Sequence, residues 1–587
     1  MDQNRNVILA LLISFAILFG WQLLFPSKPP AQQTQSQSQP QGQAGAPAPG
    51  AAPGGVSAAE TAKPRPEVLA ETPRIEIRTS KVAGSIALVG ARLDDLTLRD
   101  YSETADPKSP KIELLSPDGS EQPYFVDFGW TRPDGSTLNL PGPGTRWTAS
   151  GGELTPQQPV DLTWDNGEGL RFKRRYAVDD NYMFTVTQTV ENDTGQPVSL
   201  SAYGRIVRVG EPPASTTYLL HEGPIAVLNG TLHDGGWWAS PDKYNYADVK
   251  KDGRLIDTTT GGWLGFTDKY WLTALIPPQD APARTAVRYN GEGHRDVFQA
   301  DFAGSEQTIP AHGALSTEDR LFAGAKEVHL LDYYESALGI PRFDRAIDFG
   351  LFYWITKPIF LALDFFSTHI FYSAYGSFGL SILLLTLCIK LLFFPLANKS
   401  YRAMGKMKAL QPEMQKLRER FGDDKARLNQ ETMALYKRVG ANPMAGCLPI
   451  FIQIPVFFSL YKVLYVTIEM RHAPFYGWIH DLSAPDPTTF INLFGLLPFA
   501  APNISFLMVG AWPIMMGLTQ YLQQKLNPQA AIDPVQQKMF MLLPIVFTYM
   551  LSQFAAGLVI YWTWNNLLSI AQQWMIMRRT AAAPATA

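Results

Sequence analysis

Cysteine is nearly absent from this 587-residue chain. The two present, Cys388 and Cys447, both fall in apolar segments of the second half, so no disulfide braces the polar first half, whose stability must come from a packed core. No G-x-x-x-x-G-K-[ST] loop, no H-E-x-x-H and no Cys/His metal spacing occurs, which removes support for nucleotide-driven pumping and zinc proteolysis. The apolar segments hold no pair of carboxylates and no nucleophile set for intramembrane proteolysis, so no catalytic residue, cofactor or metal is expected and the protein reads as a non-enzyme. A net charge of −3 says little, and no specific nucleic-acid recognition is expected.

The chain does contain two halves of opposite character. Val7 to Phe25 is apolar and long enough to span, with Trp21 as an interfacial anchor, so residues 1–26 read as an uncleaved membrane anchor. Residues 27–73 are Pro, Gln, Ala and Gly with little to bury, a disordered tether. Residues 74–340 alternate with the period of half-buried strands, as in Leu170 to Val178 and Tyr182 to Val190 joined by Asp179-Asp180-Asn181, and predict a large antiparallel β-sandwich. Its tryptophans Trp237, Trp238, Trp263 and Trp271 suit either a carbohydrate or peptide cleft or plain core and rim packing.

In residues 341–375, Phe343, Ile347, Leu351, Trp354 and Pro358 recur at helical spacing opposite Arg342, Asp344, Arg345 and Asp348, which predicts an amphipathic helix on a membrane surface. Residues 376–577 carry strongly apolar runs at Gly379–Ala397, Leu448–Val466, about Ile504–Gln524, Met539–Gln553 and Gly557–Ile576, five spans that make six with the anchor. The loop 398–440 is rich in Lys and Arg, while Thr467–Phe490 holds one Arg and two His. By the positive-inside rule the first loop is cytoplasmic and the second is not. Both termini, including the short tail 578–587, are then cytoplasmic, and the β domain lies on the other side.

Lys390 stands in the middle of the first of these runs. A lysine at the centre of a span costs about 2.5–3.5 kcal/mol, so it either faces a polar cavity or snorkels to an interface. Ala397 lies seven residues on, about 10 Å along a straight helix, which is far for a lysine stem and favours the cavity. Thr386, Gln453, Gln520, Gln524, Thr548, Asn565 and Asn566 add polar groups that lipid cannot satisfy, and Pro395, Pro449, Pro455, Pro513 and Pro544 add kinks. A hydrated groove in a helical bundle follows. In the basic loop, Tyr401, Met404, Met407, Leu410, Met414, Leu417 and Phe421 make a stripe, Gly422-Asp423-Asp424 a turn, and Leu428, Leu435 and Val439 a second stripe, so a helical hairpin is expected with a kink at Pro412. The methionines either seal one arm on the other or offer an adaptable apolar surface. Lys406 and Arg418 belong to the basic face beside them.

Four stretches are similar to the YidC family of membrane-protein insertases: Leu410 to Lys425, Asn442 to Pro455, Arg471 to Ser483, and Gly557 to Asn566. The resemblance covers about residues 341–577, and the anchor with its β domain is similar to Gram-negative members. It implies a periplasmic β super-sandwich, a five-helix inner-membrane core with a positively charged groove, and insertion and folding of nascent membrane proteins without nucleotide hydrolysis. It also implies partners: the lipid bilayer, the Sec translocon, and the ribosome or signal-recognition machinery. Carried over by motif, the groove residues are Lys390, Thr386, Gln524, Tyr561 and Trp562, with Gln453 added from its place in a span. An arginine is usual where this chain has Lys390, so bidentate pairing is lost while the charge is kept. Two other readings remain from the residues themselves: a secondary transporter with Lys390 in its solute site, and a membrane-anchored carbohydrate-binding or carbohydrate-active protein. No repeated half is detectable in the spans, which counts against the transporter.

Overall fold

The computed structural model describes residues 62–581 except 107, 133–137, 213–219, 235–243, 292–294, 423, 440–447, 498–507 and 527–533. The anchor, most of the tether, Trp237 and Trp238 lie outside the described residues.

From Arg74 to Ala325 the described residues form two sheets, one of 11 strands and one of 9. Their ladders are antiparallel but for a short parallel pairing of Glu76 and Ile77 with Glu153 and Leu154. Met183–Asn192 lies between Leu170–Val178 and Gly313–Ala325, the longest ladder of the second sheet. The expected turn holds: the Asp179 carboxylate accepts from the backbone N–H of Asn181 (2.9 Å) and Met183 (3.0 Å), closing the hairpin locally. Alternation puts Phe172, Tyr176, Phe184, Val186 and Val190 inside, and this packing replaces the missing disulfides. Trp263 is fully buried, its indole N–H donating to the Pro341 carbonyl at 3.1 Å, and Trp271 packs edge-on against Tyr101. Both are packing residues, the second of the two roles open to them.

Among the described residues three α-helices belong to this half: α1 (Arg65–Ala70), which orders the end of the stretch expected to be a disordered tether, α2 (Tyr246–Asp252) and α3 (Val328–Leu338). Gly339, at φ +65°, ends α3. The amphipathic helix expected from residue 341 is not there. Phe343–Ala346 is a single 3₁₀ turn, and α4 (Tyr353–Phe365) starts only ten residues after Phe343 begins it. Phe343 and Ile347 are buried, with Phe343 edge-on to Trp263 at 5.4 Å, so the sandwich takes the residues that mimicked a helical stripe. Leu351 and Trp354 do face outward, 59% and 71% exposed.

The C-terminal half is helical: α5 (Ser377–Leu392), α6 (Phe394–Ala409), α7 (Gln411–Phe421), α8 (Lys425–Val439), α9 (Leu448–Val466), α10 (Ala511–Leu526), α11 (Pro534–Leu551) and α12 (Ala556–Ala581). The run Gly379–Ala397 is not one straight helix: α5 and α6 meet at a bend of 66°. Pro395 explains it, because a proline disfavours helical backbone at the residue before it and donates no N–H. Among the described residues no single helix is long and apolar enough to cross a membrane, but α5 with the first part of α6 passes as a bent pair. Leu392, Leu518 and Ile545 point outward from three different helices, part of an apolar exterior that suits lipid.

Pro412 does not kink the hairpin arm but restarts it, standing in the first turn of α7, where its missing N–H costs nothing. Leu410 and Met414 pack against Leu435 and Tyr436 of α8. The third run, about Ile504–Gln524, is helical from Ala511, after an irregular turn at Phe490–Gly495 with Leu493 and Phe494 at positive φ. The last helix starts with outside help: the N–H groups of Ala556 and Gly557 donate to the carbonyls of Ala484 (2.7 Å) and Leu482 (3.0 Å), in the loop after α9.

That same loop ties the two halves together. Glu469 accepts from the Val328 N–H at 2.9 Å, at the first turn of α3, and Arg471 donates to the carbonyls of Ser102 (2.6 Å) and Glu103 (3.0 Å). The Lys269 ammonium sits 3.7 Å over the Tyr465 ring, and Lys462 of α9 pairs with Asp348 at 2.7 Å. Burial pushes the Glu469 carboxyl up to about 7, helped by the neighbouring charges of Glu327 and Asp364.

Candidate functional site

Lys390 lies in the last turn of α5, three residues before the bend at Phe393. The 10 Å rise to Ala397 therefore does not run along one axis. Its ammonium donates to Ser569 Oγ of α12 at 2.8 Å, and the Ser569 hydroxyl in turn donates to the Asn565 carbonyl at 2.7 Å, one turn back. The stem is held inward by that contact. Around it is a small pocket of about 50 Å³ lined by Lys390, Phe393, Tyr401, Gln453, Val456 and Gln572, so α5, α6, α9 and α12 all contribute. None of the lining residues is acidic, and no carboxylate pairs with Lys390 among the described residues.

Two more of the expected residues meet here. The Gln453 amide donates to the Tyr561 hydroxyl, which links α9 to α12 beside the pocket. Trp562 turns to the next face of α12, edge-on to Phe457 at 4.7 Å and tilted over Phe547 at 6.0 Å. Thr386, one turn before Lys390, is buried and donates to the Ile382 carbonyl of its own helix at 2.6 Å, so its hydroxyl is satisfied locally. Gln524 stands on α10, apart from the residues that line the Lys390 pocket.

Ser569 and Gln572, not singled out from sequence, complete the site. Tyr561, Asn565, Ser569 and Gln572 follow one another at spacings of four, four and three, a polar stripe on the face of α12 that looks toward Lys390. Counting on from Tyr561 in helical steps would have found them. On the flank of α12, Asn566 donates to Thr519 Oγ1 at 3.2 Å and Gln573 to the Leu526 carbonyl at 3.0 Å, fastening α10. Trp564 donates to the Leu383 carbonyl at 3.1 Å, fastening α5. Polar groups in these helices thus divide into fasteners and pocket lining.

In the hairpin, Met414 is buried between the arms, while Met404 and Arg418 are half-buried. The side chains of Lys406 and Met407 lie outside the described residues. Among the described residues no cluster of His, Cys, Asp or Glu is arranged to hold a metal ion. What the pocket presents is positive charge and hydrogen-bond donors in an apolar surround, a place for acceptor groups rather than for bond-making chemistry.

A large β-sandwich joined to a helical bundle with such a pocket matches, part by part, two family descriptions. Residues 74–362 match the YidC periplasmic domain, and residues 370–583 match the 60Kd inner membrane protein. This is the class of inner-membrane proteins with a periplasmic domain. The chain is 48% identical to the membrane protein insertase YidC of Methylobacterium radiotolerans, over 98% of this chain and 95% of that one. It is 49% identical to that of Granulibacter bethesdensis, over 99% and 98%. An active YidC insertase crystal structure with its first transmembrane domain resolved is similar at 15% identity and a TM-score of 0.35, over 85% of this chain and 94% of that one. The chain belongs to the YidC family of membrane-protein insertases.

Proposed function

We propose that this protein inserts nascent membrane proteins into the inner membrane and helps them fold by way of the Lys390 pocket. The observation that carries the mechanism is an ammonium with a serine hydroxyl as its described acceptor and no carboxylate in the lining, at the meeting of four helices. A cation so placed is held at an energetic cost that an acidic or polar flank of an entering segment would relieve. The apolar part of that segment would pass to lipid along the outward faces of α9 and α11, gaining about 25 cal/mol for each Å² of apolar surface removed from water. No bond of the client is made or broken, so no nucleotide or cofactor is called for.

In this reading the chain has six spans, the anchor and five in the core, with α5 and the start of α6 forming one bent span. Both termini and the basic hairpin are cytoplasmic, following the distribution of Lys and Arg. The hairpin would meet the ribosome or targeting machinery, and the core would work alone or beside the Sec translocon. Family membership leaves the transporter and carbohydrate-active readings without support.

Insertion of a client with an acidic translocated tail tests the mechanism. Lys390→Arg keeps activity, and Lys390→Leu slows such clients about ten- to a hundredfold, the loss of one charge-assisted hydrogen bond of roughly 1.5–3 kcal/mol. Equal insertion by the Leu variant at matched protein level overturns the role given to the charge.

A further inference from the structure

We propose that Gln572 is the second arm of the client site, so that a carboxylate of the entering segment is held between the Gln572 side-chain amide and the Lys390 ammonium. This rests on the groove reading above and adds the ligand's chemistry and the residue that completes its binding.

Gln572 lines the same pocket as Lys390 and is only 7% exposed. Its Nε2 is buried with no hydrogen-bond partner among the described residues. A buried amide N–H without an acceptor is an expensive group to keep. The other amide of the pocket contrasts with it, for Gln453 already donates to Tyr561. Lys390 brings three N–H groups, of which one reaches Ser569. Because Ser569 gives its own hydrogen to the Asn565 carbonyl, its oxygen faces the ammonium as an acceptor and aims it. Ser569 is therefore a positioning residue. The pocket thus offers unspent donors from two helices, α5 and α12, and no carboxylate of its own. A group with two acceptor oxygens, such as a carboxylate, is the chemical complement.

The full-length protein in liposomes is tested with a single-span client bearing one aspartate in its translocated tail, and with the same client carrying asparagine there. Gln572→Met, which keeps the side-chain volume, should slow the aspartate client about tenfold and the asparagine client less than about twofold. Gln572→Glu should slow the aspartate client at least as much, because the new carboxylate takes the ammonium for itself. A merely structural role would slow both clients alike, and that result, or no slowing of either, overturns the assignment. Lys390→Leu is run beside them. If it discriminates between the clients while Gln572→Met does not, the groove reading stands and Gln572 falls; if neither discriminates, both fall. Should Gln572→Met not accumulate in the membrane, Gln572→Glu is decisive by itself, and an unselective loss there overturns the proposal equally.

Discussion

Gly379 leaves no room for a side chain, since a Cβ there would lie 2.0 Å from Cδ2 of the buried Phe475 ring. Gly379→Val should destabilise the core by about 1–3 kcal/mol, read as a lowered melting temperature in detergent, with little change for Gly405→Val, where nothing stands nearby. Glu469 gives a pH prediction. Its carboxyl is raised from 4.5 to about 7, so the folded junction binds a proton that the separated halves release. That contribution is complete below about 4.5 and is lost as pH rises through about 7. The protection factor of the Val328 amide, its exchange rate relative to an unprotected amide at the same pH, should accordingly fall between about pH 4.5 and 7, and Glu469→Gln should flatten that profile. Asp319, buried in the sandwich and also raised to about 7, acts in the same window, and Asp319→Asn separates its share. At this scale the sequence showed Lys390 plainly, because charge in an apolar run has few explanations. Ser569 and Gln572 passed unremarked, since a serine and a glutamine on a helix mean nothing until another helix brings a cation to them.

At the scale of elements the hairpin is the clearest case. Its Met stripe was compatible with an inner seal or an outer surface, and the packing of Met414 on Leu435 and Tyr436 gives that residue to the seal. Met414→Asp should loosen the two arms and speed proteolytic nicking between Phe421 and Lys425, while insertion falls only as far as the hairpin is needed. Contacts of the basic face with targeting partners should weaken with salt, as the screening length shrinks from about 10 Å at 0.1 M to about 3 Å at 1 M. Crosslinks from Arg418 that persist at high salt would contradict that. Period and composition sufficed for the strands, the hairpin turn at Asp179 and the apolar runs. They misread residues 341–352, where Phe343 and Ile347 kept helical spacing but were drawn into the sandwich by Trp263 and its neighbours. The bend at Phe393 was written in Pro395, yet its angle depends on the packing of α5 and α6 against α12.

For the whole molecule, the junction decides how much of the β domain can be spared. Helix α3 is held by the core through Glu469 at its start, through His329 to Asp364 (2.9 Å), and through Asp332 to Lys357 (2.7 Å). Deleting Arg74 to Ala325 should leave most insertion activity, whereas extending the deletion to Leu338 should cost much more of it. Complementation with clients of matched expression distinguishes the two, and equal activity of both deletions would show that α3 belongs only to the sandwich.

The start of α12 has a consequence for how the protein itself is made. Its first two N–H groups take their acceptors from Ala484 and Leu482, in a loop synthesised some seventy residues earlier, and an unmet N–H near lipid costs several kcal/mol. The start of the final helix can settle only once that loop is in place. A nascent copy in which the loop after α9 was misplaced would leave those two N–H groups without acceptors, so the end of the chain depends on what was built before it.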